Sequence, residues 1–370
     1  MHNRGVRRTV AVALTTAMLA FSGVGHASGH PESTPGKQLT VMTQNLYLGS
    51  SLSPALDPSV DTQPEFVAAV ARIYGTALAT DFPTRAEVIA DTIAAEQPDL
   101  IGLQEVTDWV ATATHPGPTP VSQDFLAILT AALAERGLHY EVAAIAHNAD
   151  IGPAPLVAPQ FGCGPTAADC LVSLHDRDVI LVNNDTPGLR WKDPRSGEYD
   201  AQQVLTPPAG APVSFARGWV TIDAKYHGER FRFANTHLEV ADFPVVQEAQ
   251  ALEFLAGPAE TDDALIAVGD FNSAADGTTT PSYGILATEL NDVWLVNSGD
   301  PGFTSGQNGT LSNPTSRLSQ RIDLVLTRSS ERTRVTAGDA HLVGDDPFRT
   351  TPPPLWPSDH AGVVATLAVH

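Results

Sequence analysis

Six short apolar runs in this chain stop at a carboxylate, an amide or an imidazole, and this pattern constrains the fold more than any other feature. "QLTVMTQN" ends at Asn45, "LIGLQE" at Glu105, "FRFANTHLE" at His237 and Glu239, and "LIAVGDFN" at Asp270 and Asn272. "RIDLVL" holds Asp323 between Ile322 and Leu324, and Asp359-His360 immediately precedes "AGVVATL". Short apolar runs bounded by turn signals read as buried strands. Turn chemistry explains any one strand that stops at Asp or Asn, because both residues bond their own backbone. It does not explain Asp323 inside an apolar run, where an unpaired carboxylate is costly to bury. Asp323 needs a partner, and a histidine is the obvious candidate. In an extended chain Asp270 and Asn272 point to one side, with Gly269 bare before them.

Helical patterns separate these runs. "TRAEVIADTIAAEQPD" predicts a helix, with Thr84 and Glu87 as a capping box and Val88, Ile89 and Ile93 on one face. "SQDFLAILTAALAERG" predicts a second, closed by Gly137, and "FPVVQEAQALEFLAG" a third. "HYEVAAIA", "DRDVILVN" and "GWVTIDAKYHGERFRFANTHLEV" read as strands, the last a hairpin turning at His227-Gly228. Residues 50–65 read as Ser/Pro-rich loop and 148–170 as Gly/Pro-rich loop. The chain has no repeat and no linker that divides it, so 370 residues at 42% hydrophobic composition point to one large mixed α/β domain over 39–370.

The N-terminus carries Arg4, Arg7 and Arg8, then an apolar run from Val10 to Phe21, then small residues around Ala27. This is the pattern of a secretory signal over 1–27, too short for a stable membrane anchor. A polar segment expected to be disordered follows over 28–38. The only cysteines, Cys163 and Cys170, lie close together in "CGPTAADC", which in an oxidising compartment predicts a local disulfide. The net charge is −21; removing the three signal arginines would take it to −24. That balance argues against broad capture of a polyanion and suits a protein that meets negative charge with a bound cation.

The strand-end residues suit phosphoryl chemistry. A phosphodiester is negatively charged and poorly electrophilic. Its hydrolysis needs a hard cation on oxygen ligands, for which Glu105 serves with help from Asn45. It needs a base that positions water: His360, held in one tautomer by a carboxylate such as Asp323. Asn272 offers a donor to the developing charge, His237 an acid for the leaving oxygen, and Asp270 a group to orient water or complete the metal shell.

"QNLYLG", "LIGLQEV", "NTHLE", "GDFN", "RIDLVL" and "PSDHAGV", in this order, resemble the endonuclease/exonuclease/phosphatase superfamily. Its members include deoxyribonuclease I-like enzymes, abasic-site endonucleases, inositol phosphate 5-phosphatases and secreted sphingomyelinases. Each motif alone is weak; six in order are specific, and they span Thr40 to Val369. The resemblance implies a four-layered α/β sandwich, two packed mixed β-sheets flanked by helices. It implies Mg²⁺ or Mn²⁺, with Ca²⁺ as a further option, bound by Glu105 and Asn45 with Asp359 near the metal. It gives Asp270 and Asn272 the nucleophile and the phosphate, pairs Asp323 with His360, and makes His237 the second catalytic histidine. Asp176-Arg177 resembles an acid–Arg pair that orients that histidine, with Asp178 an equal competitor for the role. Arg217 resembles a phosphate-contacting arginine. Glu239 stands where many sphingomyelinase-like members carry Gln. The chain exceeds the minimal domain at 50–80, 110–122, 148–215 and 340–357, which flank the motif strands.

The sequence therefore predicts a secreted, monomeric, metal-dependent phosphoesterase acting on a phosphodiester of a nucleic acid or a phospholipid headgroup. Nuclease action leads. Sphingomyelinase or phospholipase C action and inositol phosphate hydrolysis are the alternatives, and a catalytically inactive binding module is the alternative of another class. Aromatics at 6%, with no Trp/Phe-rich amphipathic stretch, predict no stable membrane insertion. A serine hydrolase reading fails for want of a G-x-S-x-G elbow. An EF-hand reading of "DFNSAADG" fails because alanines occupy ligand and glycine positions.

Overall fold

A computed structural model describes residues 37–209, 211–349 and 353–370. The predicted signal, 1–27, and most of the polar segment 28–38 lie outside the described residues. Lys37 and Gln38, expected in that segment, instead open the first strand and pair with Val369 and Ala368.

The chain first builds most of one sheet: β1 (Lys37–Asn45), β2 (Leu100–Gln104), β3 (Asp108–Ala113), β4 (Gln123–Asp124), β5 (Tyr140–Leu156) and β6 (Cys170–Asn183). It then crosses to a second sheet with β7 (Leu189–Glu198), adds the small hairpin β8 (Gln203–Leu205) and β9 (Val213–Phe215), and continues with β10 (Gly218–Tyr226), β11 (Glu229–His237), β12 (Ala264–Asp270), β13 (Asn291–Asp292) and β14 (Asp323–Arg328). It returns to the first sheet with β15 (Val335–Val343) and β16 (Gly362–Val369). The first sheet runs β15-β16-β1-β2-β6-β3-β4, with β5 also paired along β6; the second runs β13-β14-β12-β11-β10-β7. β1 and β2 are parallel, as are β11 and β12, and their other neighbours run antiparallel.

Helices cover the outer faces. α1 (Ser53–Leu56), α2 (Gln63–Ala79), α3 (Phe82–Glu96) and α4 (Phe125–Glu135) belong to the first sheet's side, and α5 (Pro244–Ala256) and α6 (Ser282–Leu286) to the second's. Strand alternation sorts the core. Val41 packs between the sheets while Met42 faces the helices; Ile266 and Val268 pack between the sheets while Leu265 and Ala267 face α5. This is the expected four-layered α/β sandwich.

Local expectations hold unevenly. The hairpin turns at His227-Gly228, both with positive φ (49° and 110°), as a primed turn requires. Gly137, with φ 70°, follows the end of α4 as expected. Three readings are corrected. α2 starts inside the stretch read as loop, with Glu65 accepting the Thr62 N–H at 3.2 Å, so the capping box belongs there. Thr84 and Glu87 lie within α3, which starts at Phe82 with Pro83 in its first turn; Glu87 accepts from Arg136, just past the end of α4, at 2.7 Å. The Gly/Pro-rich stretch 148–170 is strand at its start, because β5 runs on through register shifts to Leu156, and largely irregular from there to the start of β6. Cys163 and Cys170 are disulfide-bonded.

Candidate active site

The pleat explains why polar residues collect between the sheets. Every second residue of a strand faces the same side. On β11 that side holds Phe231, Phe233, Asn235 and His237; on β12 it holds Ile266, Val268 and Asp270; on β1 it holds Leu39, Val41, Thr43 and Asn45. Each inward series is apolar deep in the core and polar at one end. Register then aligns the ends, since His237 pairs with Asp270 and Asp270 with Asp323 on neighbouring strands. Two glycines permit this approach. A Cβ on Gly102 would lie 2.4 Å from Val268 of the facing sheet. One on Gly269 would lie 2.1 Å from the Thr236 carbonyl oxygen.

His360 reaches the same mouth from the loop before β16. Its Nδ1 lies 2.8 Å from Asp323 Oδ2 and 3.8 Å from Asp270 Oδ2. Its Nε2 lies 3.3 Å from Ser305 Oγ and 4.0 Å from Asp359 Oδ1. Asp323 is buried, and His360 is the partner its burial required. Asp270 is the hub: it accepts from Asn45 Nδ2 at 3.1 Å and from the Asn272 N–H at 2.9 Å, and it lies 3.5 Å from His237 Nε2. Asn272 is left-handed (φ 51°) rather than extended, yet its amide still meets His237 Nε2 at 3.1 Å and donates to the Leu238 carbonyl at 2.9 Å. Asn45 accepts the Tyr47 N–H at 2.8 Å on its amide oxygen, which leaves one lone pair for a cation.

The site opens into a cleft of about 370 Å³ lined by Glu105, Asp176, Arg217, Asp359 and Tyr47, with an apolar wall. Glu105 sits at φ 54° and accepts the Leu48 N–H at 2.7 Å. Asp176 faces this cleft; Asp178, two residues on, is buried deeper with neither carboxylate oxygen hydrogen-bonded. That separates the two competitors. Neither, however, reaches His237 among the described residues. Arg217 takes that place, its Nη1 at 3.1 Å from His237 Nδ1, with its Nη2 3.6 Å from Glu239. Arg177 points away and donates to the Val106 carbonyl at 2.8 Å. The expected Asp176–His237 contact is thus replaced by an arginine on the ring.

Charge is distributed unevenly. Burial lowers the proton affinity of His360, but the charges of Asp323, Asp359 and Asp270 override it and hold its pKa well above the usual value. His237 goes the other way, well below, through burial and the charges of Arg217 and His360. Burial, with neighbouring carboxylates, pushes Asp270 and Asp359 up to about 7 and Asp176 up to about 6. Asp178 lies well above the carboxylate range for the same reason.

Sequence reasoning missed two contributors. Ser305, on an irregular loop, carries no motif. Arg85 is fully buried on α3 and spends its N–H groups on four carbonyls: Thr80 at 3.0 Å, Leu46 at 2.6 Å, Pro357 at 2.9 Å and Tyr47 at 3.2 Å. It ties the segment after Asn45 to the segment before Asp359. Its helical spacing with Ile89 was the available signal.

Fold and cluster together define the phosphoesterase scaffold that the sequence motifs resemble. A sequence model of the endonuclease/exonuclease/phosphatase family matches residues 42–360, and the chain belongs to that family. No curated protein matches it. Among solved structures, a family protein from Bacteroides thetaiotaomicron is similar at 18% identity and TM-score 0.53, covering 91% of this chain and 99% of that one. D. rerio TDP2 complexed with single-strand DNA product is similar at 15% identity and TM-score 0.52, covering 89% and 98%. A B. thetaiotaomicron mannosyl-6-phosphatase is similar at 17% identity and TM-score 0.50, covering 89% and 99%.

Proposed function

We propose that this chain is an exported, divalent-metal-dependent phosphodiesterase, nuclease-like in chemistry. The observation that carries the reading is the His360–Asp323 pair at 2.8 Å, set beside Asp270 and His237 at the mouth of an acidic cleft. Motifs more than 30 residues apart meet there, and no structural need of a sheet core calls for them. The apolar N-terminal run supports export. The structural neighbours' names cover a DNA product and a sugar phosphatase, so the fold does not choose the alcohol.

The residues fit a hard dication. Glu105 and Asp359 border one cleft, the charge of Glu105 raises the cost of ionising Asp359, and Asp176 Oδ1 has no hydrogen-bond partner. Of the two nearby positive charges, Arg85 is committed to carbonyls and Arg217 lies on His237 with its Nη2 3.6 Å from Glu239. Glu105 and Asp359, with the Asn45 amide oxygen, would hold Mg²⁺ or Mn²⁺, which when bound polarises a phosphoryl oxygen. Asp270, Asp323 and His360 are also close enough together to ligate an ion. Here, though, Nδ1 of His360 is committed to Asp323, so this trio works as a proton-transfer unit.

Asp323 fixes Nδ1 of the His360 ring and leaves Nε2 to exchange a proton with water. Three carboxylates keep that ring protonated; meeting the charge of Asp359 with a cation removes one of them and favours the base form. His237 and Asn272 face the phosphate side, and Arg217 adds positive charge there.

The test is a substrate panel with Mg²⁺ or with chelator: plasmid DNA, RNA, sphingomyelin, phosphatidylcholine, inositol phosphates and bis-p-nitrophenyl phosphate. Cation-dependent hydrolysis of a diester is expected, and Glu105→Gln should weaken the Mg²⁺ dependence while keeping the fold. Equal rates in excess chelator, or no hydrolysis of any member, would overturn the reading.

A further inference from the structure

Beside the acidic cleft lies a second cavity, of about 90 Å³. The two share Leu52, Ile151, Leu174 and Phe215 as a common wall. Beyond that wall the second cavity is bounded mainly by carbon, from Phe66, Val70 and Ile73 of α2, Trp109 of β3 and Val172 of β6, with Ser173 as the one hydroxyl residue in its lining. It has no charged side chain in its lining, and the one indole N–H there already donates to the Leu48 carbonyl at 2.8 Å. Nearly all of its wall comes from residues 52–73 and 151–215, the stretches that exceed the minimal motif domain.

Resting on the phosphodiesterase reading above, we propose that this pocket is a subsite for a short apolar ester group of the substrate, an alkyl chain or a single ring attached to the phosphate. Continuity with the catalytic cleft places it within reach of a group on the phosphate being cleaved. Its chemistry disfavours a nucleobase, whose several polar edge groups would lose water against a wall with a single hydroxyl residue. Its volume excludes a long chain held entirely within it. Leu52 and Phe215 are part-exposed, one before the short α1 and the other at the end of the small β9 hairpin, so they set access from the cleft. They are specificity-determining residues.

The test uses the whole folded chain with Mg²⁺ and p-nitrophenyl phosphodiesters whose second ester group is methyl, ethyl, propyl, butyl, phenyl or glyceryl. Each added methylene that enters the pocket should raise kcat/KM about fourfold, and the glyceryl ester should fall below the propyl ester. The phenyl and butyl arms distinguish a ring from a chain. Phe215→Ser and Leu52→Gln should each lower the butyl-to-methyl ratio at least fivefold, and Phe215→Leu should restore most of it. On the unaltered protein, butyl phosphate should inhibit more tightly than methyl phosphate by a similar factor to the rate gradient, which keeps the test sound if a variant fails to fold. Hydrolysis that is flat across the series, or a gradient untouched in both variants, would overturn the subsite while leaving the phosphodiesterase reading standing. No hydrolysis of any member would bring down that reading, and the subsite with it.

Discussion

At the residue scale, His360 and Asp323 act as one unit, and their kinetics should say so. His360→Ala should cost about 10²- to 10⁴-fold in rate, the usual worth of general acid–base help. Asp323→Asn should lose much of the same factor, because an amide can hold the ring in the wrong tautomer. The double variant should be little worse than either single. Strictly multiplicative losses in kcat would show that the two do not work together. The residues themselves were legible in the sequence because each breaks an apolar run, and their pairing followed from the cost of burying Asp323 alone. Arg217 lying on His237 was not legible: which of several nearby charges reaches a ring depends on side-chain paths across strands, not on spacing. Ser305 was hidden for a related reason, since it sits on an irregular loop 55 residues from the ring it meets.

At the scale of elements, the site depends on how closely β11 and β12 pair and on how two loops are tied. Gly269 has φ 152° and no room for a Cβ, because the obstacle is the backbone oxygen of Thr236. Gly269→Ala should therefore push apart the strand ends that carry His237 and Asp270. It should destabilise by about 1–3 kcal/mol and depress activity further than stability alone explains; unfolding curves and rates at a temperature where the variant is folded check this. Arg85→Leu should remove the donor from four carbonyls at once, at a cost on the order of 3 kcal/mol or more. Arg85→Lys should recover little, since one ammonium cannot reach carbonyls spread around a planar fork. A lysine variant with the unaltered protein's melting temperature would refute that role. The strong strands and three main helices were readable because apolar period and length agree there. α2 was not: its apolar face is interrupted by alanines and a glycine, and its start lies in a Ser/Pro-rich stretch. The far half of β5, beyond the stretch read as strand, hid for the opposite reason, as register shifts break its alternation.

For the whole molecule, the decisive quantity is negative charge held out of water. The chain carries −21 overall, and Asp176, Asp270 and Asp359 crowd one mouth with pKa values of about 6, 7 and 7. An unfolded aspartate titrates near 4. Between these values the folded protein binds protons that the unfolded chain does not, so stability falls as pH rises from about 4 through about 7. His360, with its raised pKa, contributes stability that is likewise lost as pH rises, from above its unfolded value of about 6.5. His237 opposes this only below about 6.5, where its unfolded form gains a proton that the folded form refuses. Above that the signs agree. In chelator, the melting temperature should therefore drop between pH 6.5 and pH 8. A dication that binds Glu105 and Asp359 in the folded state alone adds stability by mass action. It competes with protons for Asp359, so Mg²⁺ should raise the melting temperature more at pH 8 than at pH 6.5. Glu105→Gln should shrink that rise. Thermal melts at the two pH values, with and without Mg²⁺, decide it. A melting temperature that climbs with pH in chelator, or a Mg²⁺ effect equal at both pH values, would mean that the buried carboxylates are not the groups that a cation meets.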